Sequence, residues 1–248
     1  MVPAVKAASQ EISFAEAQHA LAIDAARASF AAFVLYAGRD DEGRPVSWRP
    51  VDERVWGFVE RAMAEGADVG VMVPNGFGKS TQLNWRLAWE IGRNPNLLSA
   101  LVTDSDENSA LRVTAVREVM KTAEYRQVFP GVRIQRGKEK ASAFSVARSG
   151  HSPFDTLTGY GVLTGTGARC ALLALDDPVT FKNSVQEPAN RERVYQSIRT
   201  TWFSRGQRAR EGRQQVLWIQ TAYHGQDATA RIREDARSGF RFLIVRAE

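Results

Sequence analysis

Apolar residues at Ile23, Ala26, Phe30, Phe33 and Val34 fall at helical spacing within an Ala-rich run, which predicts one amphipathic helix from Ser13 to Tyr36 that needs a surface to pack on. The pattern breaks in "AGRDDEGRPVSWRP", where Gly, Pro and charge predict a loop or linker. Val55, Phe58, Val59 and Ala62 restore a helical stripe that ends near Gly66, and "DVGVMV" switches to a short strand. Helix from Thr81 to Ile91, buried strand at "LLSALVT" and helix from Asp104 to Lys121 follow, the last with Val113, Val116 and Met120 on one side. Strand alternating with helix at this spacing predicts parallel pairing through crossovers.

The stretch from Val132 to Val162 is richer in Gly, Ser and Thr and predicts short antiparallel strands or hairpins. "CALLAL" is apolar throughout, as a central strand covered on both faces should be. A helix from Glu187 to Thr200, a strand at "QVLWIQ", a helix from Asp227 to Ala236 and a strand at "FRFLIV" complete the order.

Composition narrows the class. A chain of 248 residues can bury a sizeable core, and 44% hydrophobic with 25% charged residues is the balance of a globular protein rather than a disordered one. The net charge of +5 is carried mostly by arginine, which suits a polyanionic partner and is equally expected of a GC-rich genome. The single cysteine, Cys170, excludes an internal disulfide and a multi-cysteine metal cluster and fits a reducing compartment; inside "RCALLALDD" it reads as a small buried strand residue rather than a nucleophile. The N-terminus shows no secretory signal and "SFAAFVLYA" is too short to span a bilayer, so a cytoplasmic protein is expected.

The candidate chemistry lies where strands end. A phosphate-binding loop needs backbone N–H groups around a concavity, a lysine for the β and γ phosphates, and a hydroxyl for Mg²⁺ at the start of a helix. Pro74, Asn75, Gly76, Phe77, Gly78, Lys79, Ser80 and Thr81 supply those parts between the first strand and the next helix. Gly76 and Gly78 give backbone freedom, Lys79 the charge, Ser80 the metal hydroxyl and Thr81 a further donor. Val73 stands where the first glycine of such a loop belongs. The competing reading is a chance turn, which the flanking strand and helix weigh against. A second site is "ALLALDDP", where an apolar strand delivers Asp176 and Asp177 at its carboxyl end, the edge at which open parallel sheets gather ligands. Asp176 there can hold Mg²⁺ through water and Asp177 can orient or deprotonate an attacking water. An Asp-Pro turn that caps the next element is the alternative.

The stretches "VPNGFGKST", "GRNPNLLSALVTDSDENSALRV", "EYRQVFPGVRI", "GVLTGTGARCALLALDDPV" and "VLWIQTAYHGQDATARI", in this order, make the chain resemble the large terminase subunit of tailed bacteriophages, from about Ala25 to the last strand. The resemblance implies the ATPase of a motor that packages double-stranded DNA into a procapsid. It implies an α/β P-loop NTPase fold of the additional-strand, RecA-like type, with a mainly parallel sheet flanked by helices. Residues 1–50 would form a helical N-terminal extension and linker and 51–248 the ATPase domain. The cofactors would be ATP and Mg²⁺, with Ser80 and Asp176 on the metal. Lys79, Asp176 and Asp177 would serve catalysis, and Thr221 would couple phosphate state to movement. Partners would be double-stranded DNA without sequence preference, the portal protein, the small terminase subunit and copies of this chain in a ring on the procapsid, with a monomer in isolation as the other state. The site of action would be the host cytoplasm and the portal vertex, with no membrane.

Departures from the family pattern are visible. The base position is Asp177 where many members have Glu. Many also place an arginine where Thr166 stands between two glycines, leaving Arg169 as the nearest residue to reach a neighbour's ATP, or else a solvated strand-start arginine. Ala222 replaces an arginine often found after the coupling threonine; His224 reads as a structural hydrogen bonder. The chain ends where the family's nuclease would begin, so no DNA cleavage is expected. Arg199, Arg205, Arg208, Arg210 and Arg213 would line a DNA backbone, face a neighbouring subunit, or sit in a solvated loop. Two other functions stay open: a helicase-like DNA-translocating ATPase, and an assembly module that binds ATP without efficient turnover.

Overall fold

The structure is a computed structural model that describes residues 13–40, 42–165, 169–205 and 214–246. Where one N-terminal helix is expected there are two, α1 (Phe14–Ala28) and α2 (Phe30–Ala37). The break is Ser29, whose extended backbone ends α1 and whose hydroxyl accepts the Ala32 amide at 3.3 Å to cap α2. A short side-chain oxygen offers the backbone an alternative to helical continuation. Past the break, Phe30, Phe33 and Val34 enter the same apolar cluster as α3 (Pro50–Ala64), through Val55, Trp56 and Val59.

The expected strand-helix alternation follows: β1 (Asp68–Met72), α4 (Lys79–Arg93), β2 (Ser99–Thr103), α5 (Asp106–Lys121) and α6 (Ala123–Val128). The middle holds β3 (Ala143–Phe144) and β4 (Leu157–Gly161). These pair antiparallel, as the Gly/Ser/Thr-rich stretch predicts, but β4 also pairs parallel with β2 and so belongs to the main sheet. After β5 (Leu172–Asp176), the helix expected from Glu187 to Thr200 is α7 (Pro188–Gln196) flanked by π-helical turns at Lys182–Gln186 and Ser197–Trp202. β6 (Gln215–Gln220), α8 (Ala228–Glu234) and β7 (Phe240–Ile244) close the chain.

One seven-stranded sheet results, in the order β3-β4-β2-β5-β6-β1-β7, parallel except for β3. Successive strand side chains point to opposite faces, and the core divides accordingly. Leu101, Leu172, Ala174, Leu217 and Ile219 face the cluster built on α2 to α5, whereas Val102, Leu173, Leu175, Val216 and Trp218 face the cluster built on α7 and α8. The fold is therefore α/β with helices on both faces of a mostly parallel sheet, a layout compatible with Rossmann and RecA-like folds.

Strand order positions the site. β5 is fully buried between β2 and β6, and β6 separates β5 from β1. The carboxyl ends of β1, β5 and β6 thus sit side by side, joined by backbone bonds from Val73 N to Gln220 O (3.0 Å) and from Asp177 N to Ile219 O (3.0 Å). Among the described residues no helix is long and apolar enough to cross a membrane.

Candidate functional site

Val73, where a glycine is expected, extends β1 by one step: its amide binds the end of β6 and its side chain is 5% exposed in the core. The turn comes after it. Gly76 and Gly78 adopt left-handed backbone (φ 82° and 73°), and nothing lies within 4 Å of where a Cβ on either would stand. The constraint on these glycines is torsional, not steric, and together they turn the chain sharply into the N-terminus of α4, where unpaired helix amides gather. Arg49 fastens the turn from outside by donating to Phe77 O at 2.8 Å. Arg49 is itself held by Asp52, whose carboxyl burial alone would raise but which bonds to Arg49 and Gln82 keep below its usual range.

At the end of β5 the two carboxylates take different partners. Asp176 is 3% exposed; its Oδ1 accepts the Ser80 hydroxyl at 2.9 Å and its Oδ2 meets Arg112 Nε, on α5, at 2.9 Å. Burial pushes the Asp176 carboxyl above its ordinary range, outweighing the pull of the Arg112 guanidinium, while the charge of Asp177 adds to the rise. Asp177 has a left-handed backbone (φ 45°), uncommon for a residue with a side chain. Its Oδ2 lies 2.9 Å from Lys79 Nζ, and its Oδ1 accepts the Thr221 amide at 2.7 Å. Asn75 completes a ring, because its Oδ1 accepts both Lys79 Nζ (3.2 Å) and the Thr221 hydroxyl (2.9 Å).

Asn75, Gly76, Gly78, Lys79, Ser80, Asp176, Asp177 and Thr221 therefore converge on one spot, and Thr81 lines an adjoining open cleft of about 420 Å³ with Trp48, Arg49, Asp52 and Gln82. Arg169 does not join them. It is exposed and lies three residues before β5, at the opposite end of the strand from Asp176, which closes it; the strand alone spans roughly 13 Å at about 3.3 Å per step. His224 accepts the Gln226 amide on Nδ1 at 3.0 Å and holds the turn before α8. Arg199 donates to the Tyr195 hydroxyl and lies 3.5 Å from Asp235. Thr166, Arg208, Arg210 and Arg213 lie outside the described residues, and Arg205 closes a short 3₁₀ turn.

Arg49, Gln82, Arg112 and Gln220 are site residues that sequence reasoning misses. Arg49 immediately precedes α3 and the other three sit on regular elements, none at a position whose residue type announces a role, and only the fold carries them to the loop.

One pH effect follows from the burial of Asp176. Because its folded pKa is raised, its contribution to stability is full below the ordinary carboxylate value of about 4 and is lost as pH rises through the folded value. Asp176→Asn keeps an acceptor for Ser80 without the buried charge. Its melting temperature in magnesium-free buffer should exceed that of the wild type at neutral pH, with the gap closing towards about pH 4. Calorimetric melts across that range check this, and a neutral-pH loss would contradict it.

No family model matches the chain, and no curated protein matches it significantly. The likeness to terminases rests on the five sequence stretches and their order.

Proposed function

We propose that this chain is a Mg²⁺-dependent ATP hydrolase of the phosphate-loop type, the motor half of a viral DNA-packaging terminase. One observation supports the reading above others: Lys79 and Ser80, adjacent at the start of α4, make their polar contacts with Asp177 and Asp176, adjacent at the end of β5 and 96 residues away in the case of Ser80 and Asp176. Two sequence-distant pairs matched side by side make an unlikely product of a chance turn.

The donors fit the implied ligands. Ser80 and Asp176 offer hard oxygens of the kind Mg²⁺ prefers when phosphates supply the rest of its shell, and among the described residues no cluster of three or more His, Cys, Asp or Glu forms an all-protein cage. Bound MgATP supplies the scissile phosphoanhydride and the metal that offsets its charge. Around it, the amides at the α4 N-terminus receive phosphate oxygens and Lys79 neutralises the terminal phosphate. Asp177 orients the attacking water and takes its proton as the bond to the leaving oxygen breaks. The cleft beside Thr81 and Gln82 suits the nucleoside, with Trp48 as its apolar wall. Thr221 touches both the loop and Asp177, and so couples phosphate state to β6. A role for Arg169 is confined to the site of a neighbouring copy. DNA is the partner suggested by the positive charge and the arginines of residues 199–213.

Calorimetry with MgATP, followed by phosphate release with and without linear double-stranded DNA, tests this. Binding at millimolar nucleotide and turnover stimulated by DNA are expected. Binding without turnover would favour a nucleotide-gated assembly module, and no binding would end the reading.

A further inference from the structure

Gln220, the last residue of β6, is 1% exposed at a place where strands usually release their side chains to solvent. Its carboxamide is spent mainly on backbone. Nε2 donates to Val179 O and to Thr221 O, each at 2.7 Å, and Oε1 accepts the Val179 amide at 3.3 Å and the Trp218 indole at 3.2 Å. The side chain thus pairs with both polar groups of Val179 as a further strand residue would, and staples the loop that leaves β5 to the end of β6. Between the stapled points lies Asp177, in left-handed backbone, with Oδ1 on the Thr221 amide and a longer contact of 3.2 Å from Gln220 Nε2. A non-glycine residue keeps such torsions only where its surroundings over-determine them.

We infer that Gln220 is a positioning residue that holds the turn in which the Thr221 amide occupies Asp177 Oδ1, leaving Oδ2 as the oxygen that receives the proton of water. Lys79 covers that oxygen in the structure, at 2.9 Å, so the base is shielded until Lys79 turns to a phosphate. The inference rests on the ATPase reading and deepens it.

The experiment compares wild type, Gln220→Met, Asp177→Asn and the double variant. In the nucleotide-free protein, amide hydrogen exchange at Val179 should quicken by about tenfold or more in Gln220→Met, because its N–H loses the Gln220 Oε1 acceptor, and exchange at Thr221, whose N–H is held by Asp177 Oδ1, should quicken as the turn loosens. The rate of phosphate release at saturating MgATP should fall about 10- to 100-fold, as for a catalytic group displaced by an ångström or less, with KM and the calorimetric MgATP affinity within about threefold of wild type. The double variant should be no slower than Asp177→Asn alone, since Gln220 acts through Asp177. An additive loss in the double variant, an equal fall in affinity, or unchanged exchange would overturn the assignment while leaving the ATPase reading standing. A wild type that releases no phosphate would instead remove the reading, and the assignment with it. Should Gln220→Met not fold, Gln220→Leu, which is smaller and also removes both donors and the acceptor, carries the same expectations.

Discussion

Lys79→Ala should reduce phosphate release to background, a loss of about 10²–10³-fold, the size seen when a preorganised charge stabiliser of a transition state is removed. Binding should weaken less. A hydrogen bond to a charged group contributes about 1.5–3 kcal/mol, which predicts a roughly 10- to 100-fold rise in the dissociation constant for MgATP. The fold should survive, because the Lys79 side chain projects from the first residue of α4 and its partner Asp177 keeps the Thr221 amide and is a quarter exposed to water. Lys79→Arg keeps the charge but brings a planar fork in place of a compact ammonium, and should recover binding more than turnover. Calorimetry and a coupled phosphate assay separate the two effects. Wild-type turnover no greater than that of the alanine variant would defeat the hydrolase reading.

The second large effect is on stability, about two turns along α4 from the phosphate loop. Arg86 on α4 is 4% exposed, and its guanidinium lies 5.2 Å from the centre of the Phe30 ring and 4.8 Å from that of Trp89, with Trp56 at 6.0 Å. It also bonds Glu90 at 2.6 Å and Glu60 at 3.2 Å. One side chain thus ties α2, α3 and α4 together. Removing one partner from a buried ion pair costs about 3–5 kcal/mol. The lower end applies here, because Glu60 is 41% exposed and water screens it. For a chain of this size Arg86→Ala should therefore lower the melting temperature by roughly 6–12 °C. Arg86→Met should recover part of the loss by filling the space between the rings. Differential scanning calorimetry reads both, and an unchanged melting temperature for the alanine variant would show that these helices are held by their apolar contacts alone.

Much of the architecture is legible along the chain. The change from helical spacing at Val55 to Ala62 to the short run at Asp68 places β1, and the unbroken apolar run before Asp176 places β5 with both faces covered, as found. Gly76 and Gly78 mark the turn because no other residue enters left-handed backbone so freely, and both do so. Other features are out of reach. Ser29 reads as one polar position in an otherwise continuous helix, yet its hydroxyl ends α1 and caps α2. β4 looks like one arm of a hairpin but pairs parallel with β2 on its other side. Arg112 and Gln220 lie in stretches of the family pattern that give them no role, and Arg169 lies close to the acidic pair in sequence while standing at the other end of the strand.

The sequence by itself determined most of the local elements, the parallel α/β class, and the two places where loop and carboxylates leave their strands. Each of these is set by burial and torsion within a few consecutive residues, which periodicity and residue type record. Only the tertiary structure decided that β6 lies between β5 and β1, that Arg112 reaches Asp176, and that Thr221 and Gln220 clasp Asp177. Those contacts depend on the order of strands across the sheet, an outcome of the whole chain's packing that no local period encodes.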